Sequence, residues 1–192
     1  MFNIFKKKQA VTTQPVVDDF LGFAKIPRLY KEIVISEKID GTNAQIFISE
    51  DGHIRAGSRN RWLTPENDNF GFAKWVEANK KDLLKLGAGR HFGEWWGSGI
   101  QRTYGVREKY FTLFNAAKWG GDSIGQKPDC CGVVPILAKG DFSEALIDHT
   151  LAELKEKGSI VAPGFMKPEG IVIFHRAANQ LFKKTFEDAH KG

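Results

Sequence analysis

The chain has 192 residues, 42% of them hydrophobic and 27% charged, with a formal net charge of +5 and a pI near 9.1. That length and apolar content suffice for one sizeable core, and the mild basic excess favours a polyanionic partner. No apolar run approaches the length of a membrane span and the start, Met1 to Lys8, lacks a signal-peptide core, so a soluble cytoplasmic protein with no membrane partner is expected. The two cysteines, Cys130 and Cys131, are adjacent, which suits neither a disulfide framework nor a zinc site. His53, His91, His149, His175 and His190 show no metal-ligand spacing.

In chain order, residues 1–18 read as a loosely ordered basic lead-in, and 19–192 as a single domain. Alternating apolar and polar residues predict strands over 32–39, 44–49 and 54–57. In the first of these, Ile33, Ile35 and the stem of Glu37 lie opposite Val34 and Ser36. Asp51-Gly52 is a hairpin-turn signal between the second and third. A helix is predicted next, capped by Asp68 or Asn69, with Phe72, Trp75, Val76, Leu83 and Leu86 on one face and Gly87 as its stop. Strands follow at 91–95, 110–114 and 133–137, with a Gly-, Asp- and Pro-rich surface loop over 120–132. A helix over 143–157 ends at Gly158, and strands at 170–174 and 181–186 complete the chain. Strands outnumber helices and tight turns join many of them, so the expected class is α+β with largely antiparallel sheets and flanking helices.

The segment richest in chemistry is Glu37-Lys38-Ile39-Asp40-Gly41-Thr42-Asn43. A lysine at a strand end is followed by an acid and a glycine that lets the backbone turn, so Lys38 and Asp40 can project into one cleft. A lysine acts as a nucleophile only when its amine, with a free pKa of about 10.4, sheds its proton. Such a short string is usually turn punctuation beside a solvated lysine. It gains weight from its company farther along the chain, in the order Ser58-Arg59, Phe92-Gly93-Glu94, Phe114-Asn115, Glu169-Gly170 and a strand carrying Lys183-Lys184. Singly, each has a plain structural reading, as a loop cation, a strand acid among packed aromatics, a core phenylalanine, a turn acid or edge-strand lysines.

Together and in this order, over residues 37–186, these segments resemble the covalent nucleotidyltransferase superfamily, which contains ATP-dependent DNA ligases, RNA ligases and mRNA capping enzymes. Thr42-Asn43 after the glycine makes the first segment most similar to the phage and editing-type nick-sealing RNA ligases. The resemblance implies an ATP-grasp-like nucleotidyltransferase domain that adenylates itself on Lys38, passes AMP to an RNA 5′-phosphate and seals it to a 3′-hydroxyl. Lys38, Asp40, Glu169 and Lys183 would be catalytic. Glu37, Asn43, Arg59, Glu94, Phe114 and Lys184 would join Lys38 and Lys183 in binding ATP. By the same resemblance, Glu94 would bind the ribose, Phe114 would stack on adenine, and Arg59 would contact the nucleotide phosphate or the RNA end. Glu169 would place Mg²⁺ or Mn²⁺, or the lysine amine, and Lys183 would neutralise the α-phosphate.

The family's last motif reads Lys-x-Lys, whereas this chain has Lys183-Lys184-Thr185, so either lysine could face the nucleotide. Relatives commonly carry an OB-fold or helical domain after this strand, and none is expected in this chain. The expected partner is RNA with nicked or 5′-phosphate ends, and the protein is expected to be a monomer. DNA nicks, or RNA binding by a catalytically inactive module of the same fold, are the alternatives.

Overall fold

A computed structural model describes residues 20, 22–121 and 127–187. The expected lead-in over 1–18 and the middle of the 120–132 loop fall outside them. The architecture is α+β, built on two sheets, as the sequence pattern predicts.

The first sheet has the order β7-β1-β8-β9, from β1 (Glu32–Lys38), β7 (Ile136–Asp141), β8 (Gly170–His175) and β9 (Gln180–Thr185), all antiparallel. The second has the order β3-β2-β4-β5-β6, from β2 (Thr42–Ile48), β3 (Ile54–Ser58), β4 (Gly89–Gly97), β5 (Lys109–Leu113) and β6 (Cys131–Val133). Its single parallel pair is β5 with β6.

Period-two alternation sets the faces. Ile33 and Ile35 of β1 and Ile171 and Ile173 of β8 are buried against Ile147 and Leu154 of α4 (Glu144–Lys157). Ser143 caps α4, accepting a hydrogen bond from Leu146 N at 3.1 Å, and Gly158 ends it at φ 81°. On the second sheet, Ala44, Ile46, Trp95, Phe111 and Leu113 pack against Phe72 and Val76 of α1 (Phe72–Ala78). A third apolar group, of Ile39, Trp96, Tyr104, Val134 and Ala162, joins the two sheets beneath the end of β1.

Three details depart from the sequence expectation. The helix predicted after Asp68 is broken into α1, α2 (Lys80–Leu83) and a 3₁₀ turn (Leu84–Leu86). At the break, Asn79 Nδ2 donates to Trp75 O at 2.8 Å, a side chain competing for a helical carbonyl. The N-cap is Gly71, at φ 83°, and neither Asp68 nor Asn69, but Asp68 reaches the first turn, accepting from Ala73 N at 2.8 Å and Lys74 N at 3.2 Å. The strand predicted over 133–137 is two strands, β6 and β7, in different sheets. Pro135 between them has no N–H for a ladder, while its carbonyl accepts from Glu37 N at 3.1 Å. A short helix, α3 (Ala116–Trp119), was not expected; Asn115 caps it through Lys118 N at 3.0 Å. Among the described residues no helix is long and apolar enough to cross a membrane.

Candidate active site

Lys38 is the last residue of β1 and pairs with Gly170 at the start of β8. This register sets its side chain beside Glu169, and Lys38 Nζ donates to Glu169 Oε2 at 2.7 Å. Gly170 takes φ 153°, and a Cβ there would lie 2.3 Å from the Lys184 carbonyl, so only glycine lets the start of β8 lie against the end of β9 here. Burial raises the Glu169 carboxyl above its ordinary range, and the Lys38 ammonium pulls the other way.

The turn after β1 is fastened to β4 by one carboxylate. Gly41 N donates to Glu94 Oε1 at 3.1 Å, and Asn43 Nδ2 donates to Glu94 Oε2 at 3.0 Å. Arg59 then grips Asn43, its Nε donating to Asn43 Oδ1 at 2.8 Å and its Nη2 to the same oxygen. Glu94 is 6% exposed, and desolvation pushes its pKa up to about 7 despite the charge of Lys38 and both hydrogen bonds. The charge of Glu169 also raises the Glu94 carboxyl, and Lys38 lowers both, so Lys38, Glu94 and Glu169 form one electrostatic cluster. Gly41 is required for space and not for a left-handed backbone: a Cβ there would sit 2.5 Å from Trp95 O and 2.8 Å from Trp96 Cβ.

Asp40 is held from a direction that sequence reasoning did not anticipate. Its amide donates to Tyr104 Oη at 2.7 Å, and its Oδ2 lies 2.9 Å from Arg102 Nε, an ion pair whose N–H is not aligned for a hydrogen bond. Arg102 Nη2 also donates to Glu187 Oε1, just past β9. Burial raises the Tyr104 phenol, which therefore remains a neutral O–H. Gln101, Thr103 and Tyr104 all have φ between 45° and 58°, a conformation rare for residues other than glycine and strained for a β-branched one. No periodicity or short motif marks this loop; its flanking Gly99 and Gly105 are the one available signal.

Other predicted residues divide by face. Lys183 pairs with Val172, which pairs with Ser36, so it shares the Lys38 face of the first sheet. Thr185, opposite Gly170, shares it too. Lys184 pairs with Ile171 on the α4 face and donates to Asp148 of that helix. Glu37 is likewise turned away: 1% exposed, it accepts from Ser159 Oγ at 2.5 Å, Ile160 N at 2.8 Å and Val161 N at 3.2 Å. Its carboxyl, raised by burial, anchors the segment after α4 and does not reach the cleft. Phe114 follows β5, its amide donating to Phe92 O at 3.0 Å. Strand alternation puts Phe114 and Phe92 on the Glu94 face, 43% and 51% exposed. A cavity of about 500 Å³ opens elsewhere, against Phe70, Trp75 and Trp95, and none of the predicted site residues lines it.

The structure thus brings Lys38, Asp40, Asn43, Arg59, Glu94 and Glu169 into one linked site, with Phe114 and Lys183 on its flanking faces, and turns Glu37 and Lys184 away. A strand-end lysine facing a buried and a half-buried carboxylate between two largely antiparallel sheets is the arrangement of a covalent nucleotidyltransferase. The chain belongs to the RNA ligase family, whose model it matches over residues 31–185. Its fold is similar to that of the Naegleria gruberi RNA ligase in several solved forms. A lysine-to-methionine variant with AMP and Mn has a TM-score of 0.62 at 19% identity, with 85% of this chain and 53% of that one covered. A lysine-to-alanine variant with ATP and Mn has a TM-score of 0.57 at 20% identity, with 80% and 48% covered. The chain therefore spans about half the length of the ligase it resembles. No match was found among curated proteins.

Proposed function

We propose that the protein is an ATP-dependent polynucleotide ligase acting on RNA, with Lys38 as its nucleotide carrier. The observation that carries the reading is Lys38 at the open end of β1, hydrogen-bonded to Glu169 and within the field of Glu94. In the first step the deprotonated Lys38 amine attacks the α-phosphorus of ATP. A P–N bond forms, the α–β bridging P–O bond breaks, and pyrophosphate leaves with the electron pair. A 5′-phosphate oxygen of RNA then attacks the same phosphorus and releases Lys38. A 3′-hydroxyl finally attacks the activated 5′-phosphate and expels AMP.

Each step assigns work to residues already placed. Glu169 accepts from the Lys38 amine and aims it. Glu94 orders the turn at Gly41 and Asn43 and faces the ribose hydroxyls. Phe114 offers its open ring to adenine, and Arg59, anchored on Asn43, presents a cation to a phosphate. Lys183 offsets charge developing on the α-phosphate, a preorganised electrostatic role. Glu37 supports this set from behind, and Lys184 joins the first sheet to α4.

A divalent cation suits the donor set, because the Glu169 charge raises the neighbouring Glu94 carboxyl and both side chains offer hard oxygen ligands. Among the described residues no three acidic, His or Cys side chains are arranged as a ready-made shell. That agrees with Mg²⁺ or Mn²⁺ held by one or two carboxylates, Glu169 foremost, together with the triphosphate. The ion would offset triphosphate charge and align the phosphates.

Incubation with α-labelled ATP and Mg²⁺ or Mn²⁺, followed by denaturing electrophoresis, tests the reading. Covalent label on the wild type, absent from Lys38→Ala, is expected; an unlabelled wild type overturns it. Nicked RNA and nicked DNA offered together then report the preferred polymer.

A further inference from the structure

Beyond the Lys38 cleft, the same face of the second sheet continues as a row of arginines and aromatics that none of the ligation steps uses. Arg90 of β4, Phe47 of β2 and Arg55 of β3 are direct cross-strand neighbours. The indole of Trp62 lies on the adjoining row: a Cβ at Gly57 would come within 3.1 Å of Trp62 Cε3, so the glycine lets the ring settle on the sheet. Arg55 stacks over Trp62 with its Cζ 4.1 Å from the ring centroid, and Arg90 sits 5.1 Å from the Phe47 centroid and 5.4 Å from that of Trp62. Both arginines are exposed.

Neither Arg55 nor Arg90 has a carboxylate partner among the described residues, and the same holds for Arg59 and Arg61 on the neighbouring turn. Arg90 donates to Gln45 Oε1 at 3.2 Å, which leaves most of its fork unused. The acids nearest Arg55 in sequence, Glu50 and Asp51, are at the β2–β3 turn, where Asp51 accepts from Ser49 Oγ and His53 N, and Glu94, the nearest to Arg90, accepts from Gly41 N and Asn43 Nδ2. Planar cations stacked on aromatic rings, with their N–H edges open, match a phosphate backbone. The rings beside them offer stacking surfaces to bases. A base can stack on a side chain only when it is not enclosed in a duplex. Arg90 lies four positions before Glu94 along β4, about 14 Å, or roughly four stacked nucleotides at ~3.4 Å each.

We propose that the Arg55–Trp62–Phe47–Arg90 surface binds an unpaired segment of a polynucleotide whose end is processed at Lys38. The location relative to the reaction rests on the proposed ligase function; the binding itself does not. The test is fluorescence anisotropy with a labelled single-stranded RNA 12-mer, its duplex, and an abasic strand of equal length, across a salt series. The Arg55→Gln/Arg90→Gln double variant loses about tenfold or more in single-strand affinity, and its log–log salt slope becomes shallower by about 1.4, at roughly 0.7 per lost phosphate contact. Trp62→Leu weakens single-strand binding without changing that slope, and the abasic strand binds the wild type more weakly than RNA. A cooperative thermal melt of each variant verifies that it is folded.

Wild-type affinity and slope in the folded double variant overturn the proposal. So does a duplex or abasic strand that binds as well as single-stranded RNA, or polyglutamate that competes as well as RNA, which would assign the surface to an acidic protein. AMP labelling separates the two readings: label with unaltered RNA binding removes this surface and keeps the ligase, whereas altered RNA binding without label does the reverse.

Discussion

The ammonium of Lys38 and the carboxylate of Glu169 meet at 2.7 Å across 131 residues of chain, joined by the pairing of Lys38 with Gly170. The contact aims the amine into the cleft. Lys38→Ala should abolish covalent AMP labelling with the fold intact, and Lys38→Arg should fail as well, because a guanidinium keeps its proton. Glu169→Ala should retain a folded protein and slow labelling by on the order of a hundredfold, a positioned-group loss of a few kcal/mol. Single-turnover labelling with α-labelled ATP checks all three.

The two lysines of β9 point to opposite faces, and the pairing of Lys183 with Val172 assigns Lys183 to the Lys38 side. Lys183→Ala should cost about a hundredfold or more in adenylation rate. Lys184→Ala should cost little in that step and at most about 1 kcal/mol in stability, the usual worth of an exposed ion pair such as Lys184–Asp148. A large loss confined to Lys184→Ala would reverse the assignment.

Arg102 ties Asp40 in the nucleophile turn to Glu187 beyond β9. It acts through Asp40, so Arg102→Ala should lower the adenylation rate at saturating ATP by about tenfold, ~1.4 kcal/mol, with little change in the ATP dependence. Arg102→Lys should restore part of the loss. Tyr104→Phe should cost about 1–3 kcal/mol in stability, since the Asp40 amide loses its acceptor. A rise in KM with an unchanged maximal rate would mean that Arg102 binds substrate directly.

Glu94 has its pKa raised from 4.5 to about 7 by burial, so the folded state holds a proton that the unfolded state has released across that interval. Stability contributed by this group is therefore full below about pH 4.5 and falls as pH rises towards 7, by a few kcal/mol at most. Glu94→Gln removes the titration, so the stability of the variant relative to wild type should improve between pH 5 and pH 8. Paired denaturant melts at both pH values check the sign. The same variant should keep part of the adenylation activity, and Glu94→Ala should keep far less.

Gly41→Ala should be poorly tolerated although its backbone is not left-handed, because the added carbon would meet the Trp95 carbonyl at 2.5 Å. The expected cost is about 1–3 kcal/mol, as for overpacking elsewhere, together with reduced AMP labelling. A thermal melt and labelling assay on the same preparation measure both.

The sequence by itself determined the strand faces, the order of the reactive segments and the α+β class, because side-chain alternation and turn chemistry are local properties. The alternation of Ile33, Ile35 and Glu37 already put Glu37 on the apolar face of β1, away from Lys38, which is where Ser159 and the amides of 160 and 161 receive it. Likewise Lys183 and Lys184 had to face opposite ways, but which of them faced Lys38 was open until β9 was paired with β8. Only the tertiary structure decided the partners. It brought Glu169 to Lys38 and Glu94 to Gly41 and Asn43, and it split the 133–137 run between two sheets at Pro135. The Arg102–Tyr104 clamp was illegible for a further reason: its left-handed residues are not glycines, so its conformation is imposed by the contacts of Tyr104 and Arg102 with Asp40 and not by local preference. Local preference selects the elements; how the two sheets pack selects which charged ends meet.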